Sequence, residues 1–166
     1  MRVPIRKPGK YTHAKHDPHL TEQKFNELAS ELERLKKFNQ PKIAKEVMRL
    51  AEMGDFSENA AYQMAKGRLR GINQKILELE DQLSHAELIK PDTNTDTVQL
   101  GNRVTIEIDS ERRSYLILGS LETDPKQGII SSSSPLGAAF MGRKVGDTVR
   151  MSSTNKELEC RIVEIE

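Results

Sequence analysis

Two carboxylates, Asp55 and Glu58, stand three residues apart in the segment Gly54-Asp55-Phe56-Ser57-Glu58-Asn59-Ala60-Ala61-Tyr62. At that spacing both can turn toward one point and offer oxygen ligands to a hard cation. Mg²⁺ is normally held by one or two carboxylates together with phosphate oxygens and water. Two acids on an exposed turn bind it weakly, so a metal role here means completing a site that belongs to another molecule. The same residues also have a purely structural reading. Gly54 can close one helix in the left-handed conformation. Asp55, or alternatively Ser57, can cap the next helix, and Glu58 completes a pattern resembling a capping box. Both acids also suit the positive end of a helix dipole.

The flanking sequence must hold this segment in place. Phe25, Leu28, Leu32 and Leu35 alternate spacings of three and four, the seam of a coiled coil, with Thr21 as a plausible N-cap. Pro41 interrupts the pattern and predicts a kink, after which Ile43, Val47 and Leu50 resume it. A second seam runs through Tyr62, Ala65, Leu69, Ile72, Ile76, Leu79, Leu83 and Ala86, ending near Leu88. Two seamed helices joined by a short turn fold back antiparallel. At 1.5 Å per residue each is about 45 Å long, so the hairpin projects as a finger with the acids at its tip.

The remainder divides by composition. Residues 1–19 form a basic tail, expected to be flexible or loosely docked, with Arg2, Arg6, Lys7, Lys10 and Lys15 against Asp17. His13, His16 and His19 recur every third position without the Cys or carboxylate pattern of a ligand set. The hairpin occupies 20–89, and the polar stretch 90–97 reads as a linker. From Val98 the apolar period becomes two, predicting strands around Val104–Ile108, Tyr115–Leu118, Ile129–Ile130, Thr148–Met151 and Leu158–Ile165. Ser134-Pro135 predicts a short helix that runs through Phe140 and stops at Gly142. The fold class is therefore α+β: a long N-terminal antiparallel coiled-coil hairpin, then a small α+β domain over 98–166.

Composition excludes several classes of function. Of 166 residues only 36% are hydrophobic and 31% are charged, which suits an elongated, solvated chain. Lys and Arg total 26 against 25 Asp and Glu, so overall charge does not target nucleic acid. A single cysteine, Cys160, forbids an internal disulfide and any Cys-based zinc site; its alternation with Leu158 and Ile162 predicts a core position. No apolar run approaches the roughly 18 residues of a membrane span, and no signal peptide is visible, so a cytoplasmic protein is expected. An adapter or RNA-binding arm would need no paired acids at its turn. Prolyl isomerisation needs an aromatic pocket, yet 98–166 hold only Tyr115 and Phe140.

With those residues set out, GDFSENAAY resembles the tip signature of the bacterial Gre transcript-cleavage factors, Gly-Asp-x-x-Glu-Asn-Ala-x-Tyr. The stretch Ser134 to Asp147 is similar to the family's Ser-Pro segment, and the likeness covers residues 20–166. Tyr62-Gln63 with Lys66, Arg68-Leu69-Arg70 and Ile72 resembles the GreB branch more than GreA. The resemblance implies an FKBP-like C-terminal domain docked at the secondary channel of bacterial RNA polymerase, with Ser134, Pro135, Leu136 and Phe140 as docking candidates. It implies a finger that reaches down the channel, where Asp55 and Glu58 help hold the second Mg²⁺ of the polymerase. Hydrolysis of the extruded RNA 3′ end is then the polymerase's own chemistry; the factor is no enzyme and has no cofactor of its own. Ser57, Asn59 and Tyr62 fall on supporting tip positions. Lys66, Arg68, Arg70 and Lys75 become candidates for contact with the nascent RNA, and a monomer is expected. Ala61 replaces an acid usual in the family, and Gly67, Gly71, Asn73 and Gln74 dilute the basic patch. These departures keep open a second reading, a Gre-like regulator that occupies the channel without promoting cleavage.

Overall fold

The computed structural model describes residues 17–52, 60–90, 96–108, 110–153 and 156–166. The first helix, α1 (Glu22–Arg34), begins where the sequence predicts: Thr21 is extended and its side chain accepts from Lys24 N–H. The helix widens into a π turn over Leu35–Asn39 before α2 (Gln40–Glu52). Gln40 N–H reaches back five residues to the Leu35 carbonyl. Pro41 lies directly beyond this wide turn. It has no N–H to donate, and in a regular helix its ring would press on the carbonyl four residues earlier. The predicted kink thus takes the form of a π turn rather than a break.

The return helix, α3 (Ala60–Ser84), is shorter than its seam. Ala86 continues the spacing but lies outside the helix. Glu87–Leu88 (β2) instead pairs in parallel with His19–Leu20 (β1). Glu87 N–H donates to Pro18 O and Ile89 N–H to Leu20 O, both at 2.8 Å, so cross-chain bonds replace helical ones. Leu20 is fully buried at this junction.

The hairpin core is thin. Leu35, Ile76 and Leu79 are buried, with Leu28, Leu32 and Ile72 packed partly against them. Leu50 and Ala65 continue the buried stripe toward the far end. The flanks are polar: Gln40 Nε2 donates to Asn73 Oδ1 at 2.9 Å, and Lys36 pairs with Glu80 at 2.5 Å. Gly67 and Gly71 sit inside α3, where a Cβ at either position would meet nothing within 4 Å. Packing therefore does not require glycine there. Gly67→Ala and Gly71→Ala should each raise stability by about 0.5–1 kcal/mol through helix propensity and a less disordered unfolded chain. Urea unfolding followed by circular dichroism checks this.

The C-terminal part is a five-stranded sheet in the order β5-β4-β3-β7-β6. Its strands are β3 (Arg103–Ile108), β4 (Glu111–Leu118), β5 (Ile129–Ser131), β6 (Thr148–Ser153) and β7 (Lys156–Ile165). The β4–β5 pair is parallel and the rest are antiparallel. The register of β3 on β7 shifts between Thr105 and Ile106. A short helix, α4 (Pro135–Phe140), covers one face. Val104, Ile106, Ile117, Ile130, Val149 and Ile162 gather around Phe140 and Cys160, both fully buried. Cys160 is thus a core residue; burial pushes its thiol pKa up and so disfavours the reactive thiolate.

Residues 1–16 lie outside the described residues, as do 91–95 of the expected linker. From Asp17 the chain is engaged with the rest of the fold, so the end of the expected tail is part of the junction. Asp17 accepts from His19 N–H at 3.1 Å and from Ser120 N–H at 2.9 Å, and the His19 Nδ1 atom lies 2.7 Å away. Burial pushes its carboxyl pKa up, but the hydrogen bonds from His19 and Ser120 and the nearby His19 charge outweigh this and leave it below the ordinary value. A depressed folded-state pKa contributes stability above the unfolded pKa, and that contribution disappears as pH falls through the folded one. Thermal melts should therefore show Asp17→Asn less stable than the parent near neutral pH. The gap should narrow once the pH drops below the ordinary aspartate value of 3.8.

Candidate functional site

The helices α2 and α3 bracket the acidic segment: α2 ends at Glu52 and α3 starts at Ala60, at the opposite end of the hairpin from the β1–β2 junction. Residues 53–59, and with them Asp55, Ser57, Glu58 and Asn59, lie outside the described residues. Tyr62 is on the first turn of α3, half-buried, with Lys66 Nζ 5.9 Å from its ring centroid. That distance suits a cation–π contact. Among the described residues, no three His, Cys, Asp or Glu side chains are grouped to hold a metal ion.

The four cations of α3 do not form one patch. Lys66, Arg68, Arg70 and Lys75 are all exposed, and among the described residues none forms an ion pair. Lys66 and Arg70 are four apart and share one face. Arg68 and Lys75 are seven apart and share another, where they line a groove of about 540 Å³ between the helices. Lys42 of α2 lines the same groove. Nothing in the sequence near Arg68 points to Lys42, because the antiparallel pairing of the two seams brings it there.

The Ser-Pro segment forms as predicted. Ser134 Oγ accepts from Gly137 N–H at 3.0 Å and donates to Ser131 O at 2.6 Å, with Pro135 in the first helical turn. Gly137 allows α4 to lie against β5, since a Cβ there would stand 2.0 Å from Ser131 O. Pro135 is exposed, and Ser134 and Leu136 are half-buried. Phe140 must be corrected. It has no exposed surface and packs against Tyr115 with ring centroids 6.4 Å apart, so it supports α4 from below and cannot itself touch a partner.

Taken together, the described elements are a two-helix hairpin joined to a small sheet unit, and the sequence between the helices carries Asp55 and Glu58. Two family models divide the chain between them: "Transcription elongation factor, N-terminal" over residues 19–88 and "Transcription elongation factor, GreA/GreB, C-term" over residues 92–166. A protein named transcription elongation factor GreA from Thermomicrobium roseum is 39% identical over 149 residues, spanning 89% of this chain and 96% of that protein. One of the same name from Macrococcus caseolyticus is also 39% identical, over 88% and 94%. The chain belongs to the GreA/GreB family of transcription elongation factors. Among solved structures, the Gfh1 protein of Thermus thermophilus is similar at 27% identity, covering 90% of this chain and 99% of that one with a TM-score of 0.42.

The relatives are named GreA, which corrects the expected GreB branch. The residues behind that expectation, chiefly Lys66, Arg68 and Arg70, are exposed on α3. Packing constrains side-chain type little at such positions, so they are poor markers of a branch. Among the described residues, no helix is long and apolar enough to cross a membrane.

Proposed function

We propose that this factor binds bacterial RNA polymerase in the cytoplasm and stimulates the polymerase's own hydrolytic cleavage of backtracked RNA. The observation that carries the reading is the placement of Asp55 and Glu58 in the short segment between the far ends of two long antiparallel helices. In this reading residues 20–89 are the inserting hairpin, 90–97 a linker and 98–166 an FKBP-like docking domain, with 1–19 a basic extension. The protein acts as a monomer and meets the nascent RNA 3′ end.

The donor set fits Mg²⁺ in kind but not in number. Asp55 and Glu58 offer hard carboxylate oxygens, and the remaining ligands must come from the polymerase, the RNA and water. A second metal ion supplies charge stabilisation to the attacking and leaving oxygens of an in-line displacement. The part of this chain is to deliver two negative charges where water is scarce and charge counts for most. Ser57, Asn59 and Tyr62 support the turn. Of the cations, Arg68 and Lys75 face the groove with Lys42 while Lys66 and Arg70 face elsewhere, so RNA contact is divided between two faces. Ser134, Pro135 and Leu136 belong to the docking surface.

The test is transcript shortening in a stalled, backtracked elongation complex with labelled RNA and Mg²⁺. The parent protein should raise the cleavage rate above the intrinsic one in a saturable manner. Binding without acceleration would leave the second reading, a regulator that occupies the channel without cleavage, which Ala61 favours by removing one tip charge.

A further inference from the structure

The root of the hairpin is held to the C-terminal sheet by two carboxylates that cross in opposite directions. Asp17, just before α1, accepts from Ser120 N–H at 2.9 Å, the first N–H of a 3₁₀ turn over Ser120–Glu122. Glu122, the last residue of that turn, accepts from Thr21 N–H at 2.7 Å and from Thr21 Oγ1–H at 2.6 Å. Thr21 is the N-cap of α1, and its Oγ1 in turn accepts from Lys24 N–H at 3.2 Å. In a capping box the residue three after the cap is an acid that reaches back to the cap N–H. Here that residue is Lys24, and the acid arrives from 101 residues away. Each part of the molecule therefore caps the first turn of the other. Gly119 lies between them, where a Cβ would stand 2.0 Å from His19 O, so the two backbones touch directly.

These bonds are directional, and the finger they root is long. A rotation of about 10° at the base displaces the end of a helix of about 45 Å by roughly 8 Å. A misplacement of about 1 Å at a reacting centre is enough to cost about 100-fold in rate. Direction at the root is thus a far tighter requirement than attachment. Attachment has other support: Leu20 is fully buried, the His19 backbone lies directly against Gly119, and the Ile89 side chain lies against Gly101. Cutting the crossed bonds should therefore release the angle without releasing the fold.

We infer that Glu122, Thr21 and Asp17 are positioning residues that set the angle at which the finger leaves the C-terminal unit, and with it where Asp55 and Glu58 arrive. The consequence for cleavage rests on the function proposed above; the consequence for the angle does not.

Two readouts on the full chain test this. Spin labels at Met48→Cys on α2 and Val145→Cys on the sheet unit report the distance between the two parts; both positions are exposed, and the buried Cys160 is left in place. Glu122→Ala should broaden that distance distribution. In the cleavage assay it should lower the saturating rate at least tenfold while the half-saturating concentration stays within about twofold. Thr21→Ser keeps both donors and should behave as the parent. Thr21→Val removes the hydroxyl, and adding Glu122→Ala to it should cost less than Glu122→Ala alone. An unchanged distance distribution in Glu122→Ala overturns the inference. So does a parallel loss of rate, half-saturation and melting temperature, which would mark a merely structural contact. If the parent does not accelerate cleavage, the proposed function fails and the label distances alone decide the joint.

Discussion

Asp55→Asn combined with Glu58→Gln should abolish most of the cleavage stimulation, lowering the saturating rate at least about 100-fold, or about 2.7 kcal/mol of barrier. The half-saturating concentration for polymerase should move by no more than about twofold. This pair of substitutions separates the two readings that the segment permits. Asn is as good an N-cap as Asp, and Gln serves the third position of a capping box as Glu does. If the acids only cap a helix, the variant keeps both stability and activity. If they deliver charge to a metal, shape is retained while charge is lost, and the rate falls. The expected size follows from removing preorganised charge where it is least screened. Asp55→Ala with Glu58→Ala adds a control, because it should lose the rate equally and also cost about 1 kcal/mol per lost cap in thermal or urea unfolding.

Phe140→Ala should carry the largest stability effect in the molecule, a loss of about 3–5 kcal/mol. Phe140 is the largest of the fully buried side chains and, from the last position of α4, packs into the core of the sheet. A unit of about 70 residues holds only roughly 3.5–10 kcal/mol in total. The substitution should therefore take the C-terminal unit to the edge of unfolding and with it disorder the Ser134–Leu136 surface. Guanidinium unfolding followed by circular dichroism in the β-sheet region reads this directly. Phe140→Leu refills most of the volume and should cost under about 1.5 kcal/mol. If Phe140 were instead a contact for polymerase, Phe140→Ala would weaken binding at unchanged stability, the reverse of the expected pattern.

Local pattern settled much of this protein. The three-and-four spacing of Leu28, Leu32 and Leu35 against Ile72, Ile76 and Leu79 specifies two helices that must pair, because neither can bury its stripe alone. The period of two from Val104 onward specifies strands, and Ser134-Pro135 specifies a helix start, since a hydroxyl cap and a proline without an N–H suit the first turn. These signals lie within a few residues of the structure they cause. The paired acids Asp55 and Glu58 are visible as a motif for the same reason, because they are neighbours in sequence.

What the sequence left open involves partners distant along the chain. The seam continues to Ala86, yet α3 ends at Ser84 because Pro18 and Leu20 offer carbonyls that outcompete another helical turn. The four cations of α3 look like one cluster, but the helical rotation divides them and the fold-back of α2 supplies Lys42 to one side only. Phe140 reads as part of a docking segment, and only the closure of α4 over the sheet buries it. Asp17 with Ser120 and Thr21 with Glu122 are 103 and 101 residues apart, with no periodicity to announce them. By itself the sequence determined the helices and strands, because propensity, capping and hydrophobic period act over one or two turns. The tertiary structure decided where the finger is rooted and at what angle, because that depends on directional bonds between groups that only folding brings within 3 Å of one another.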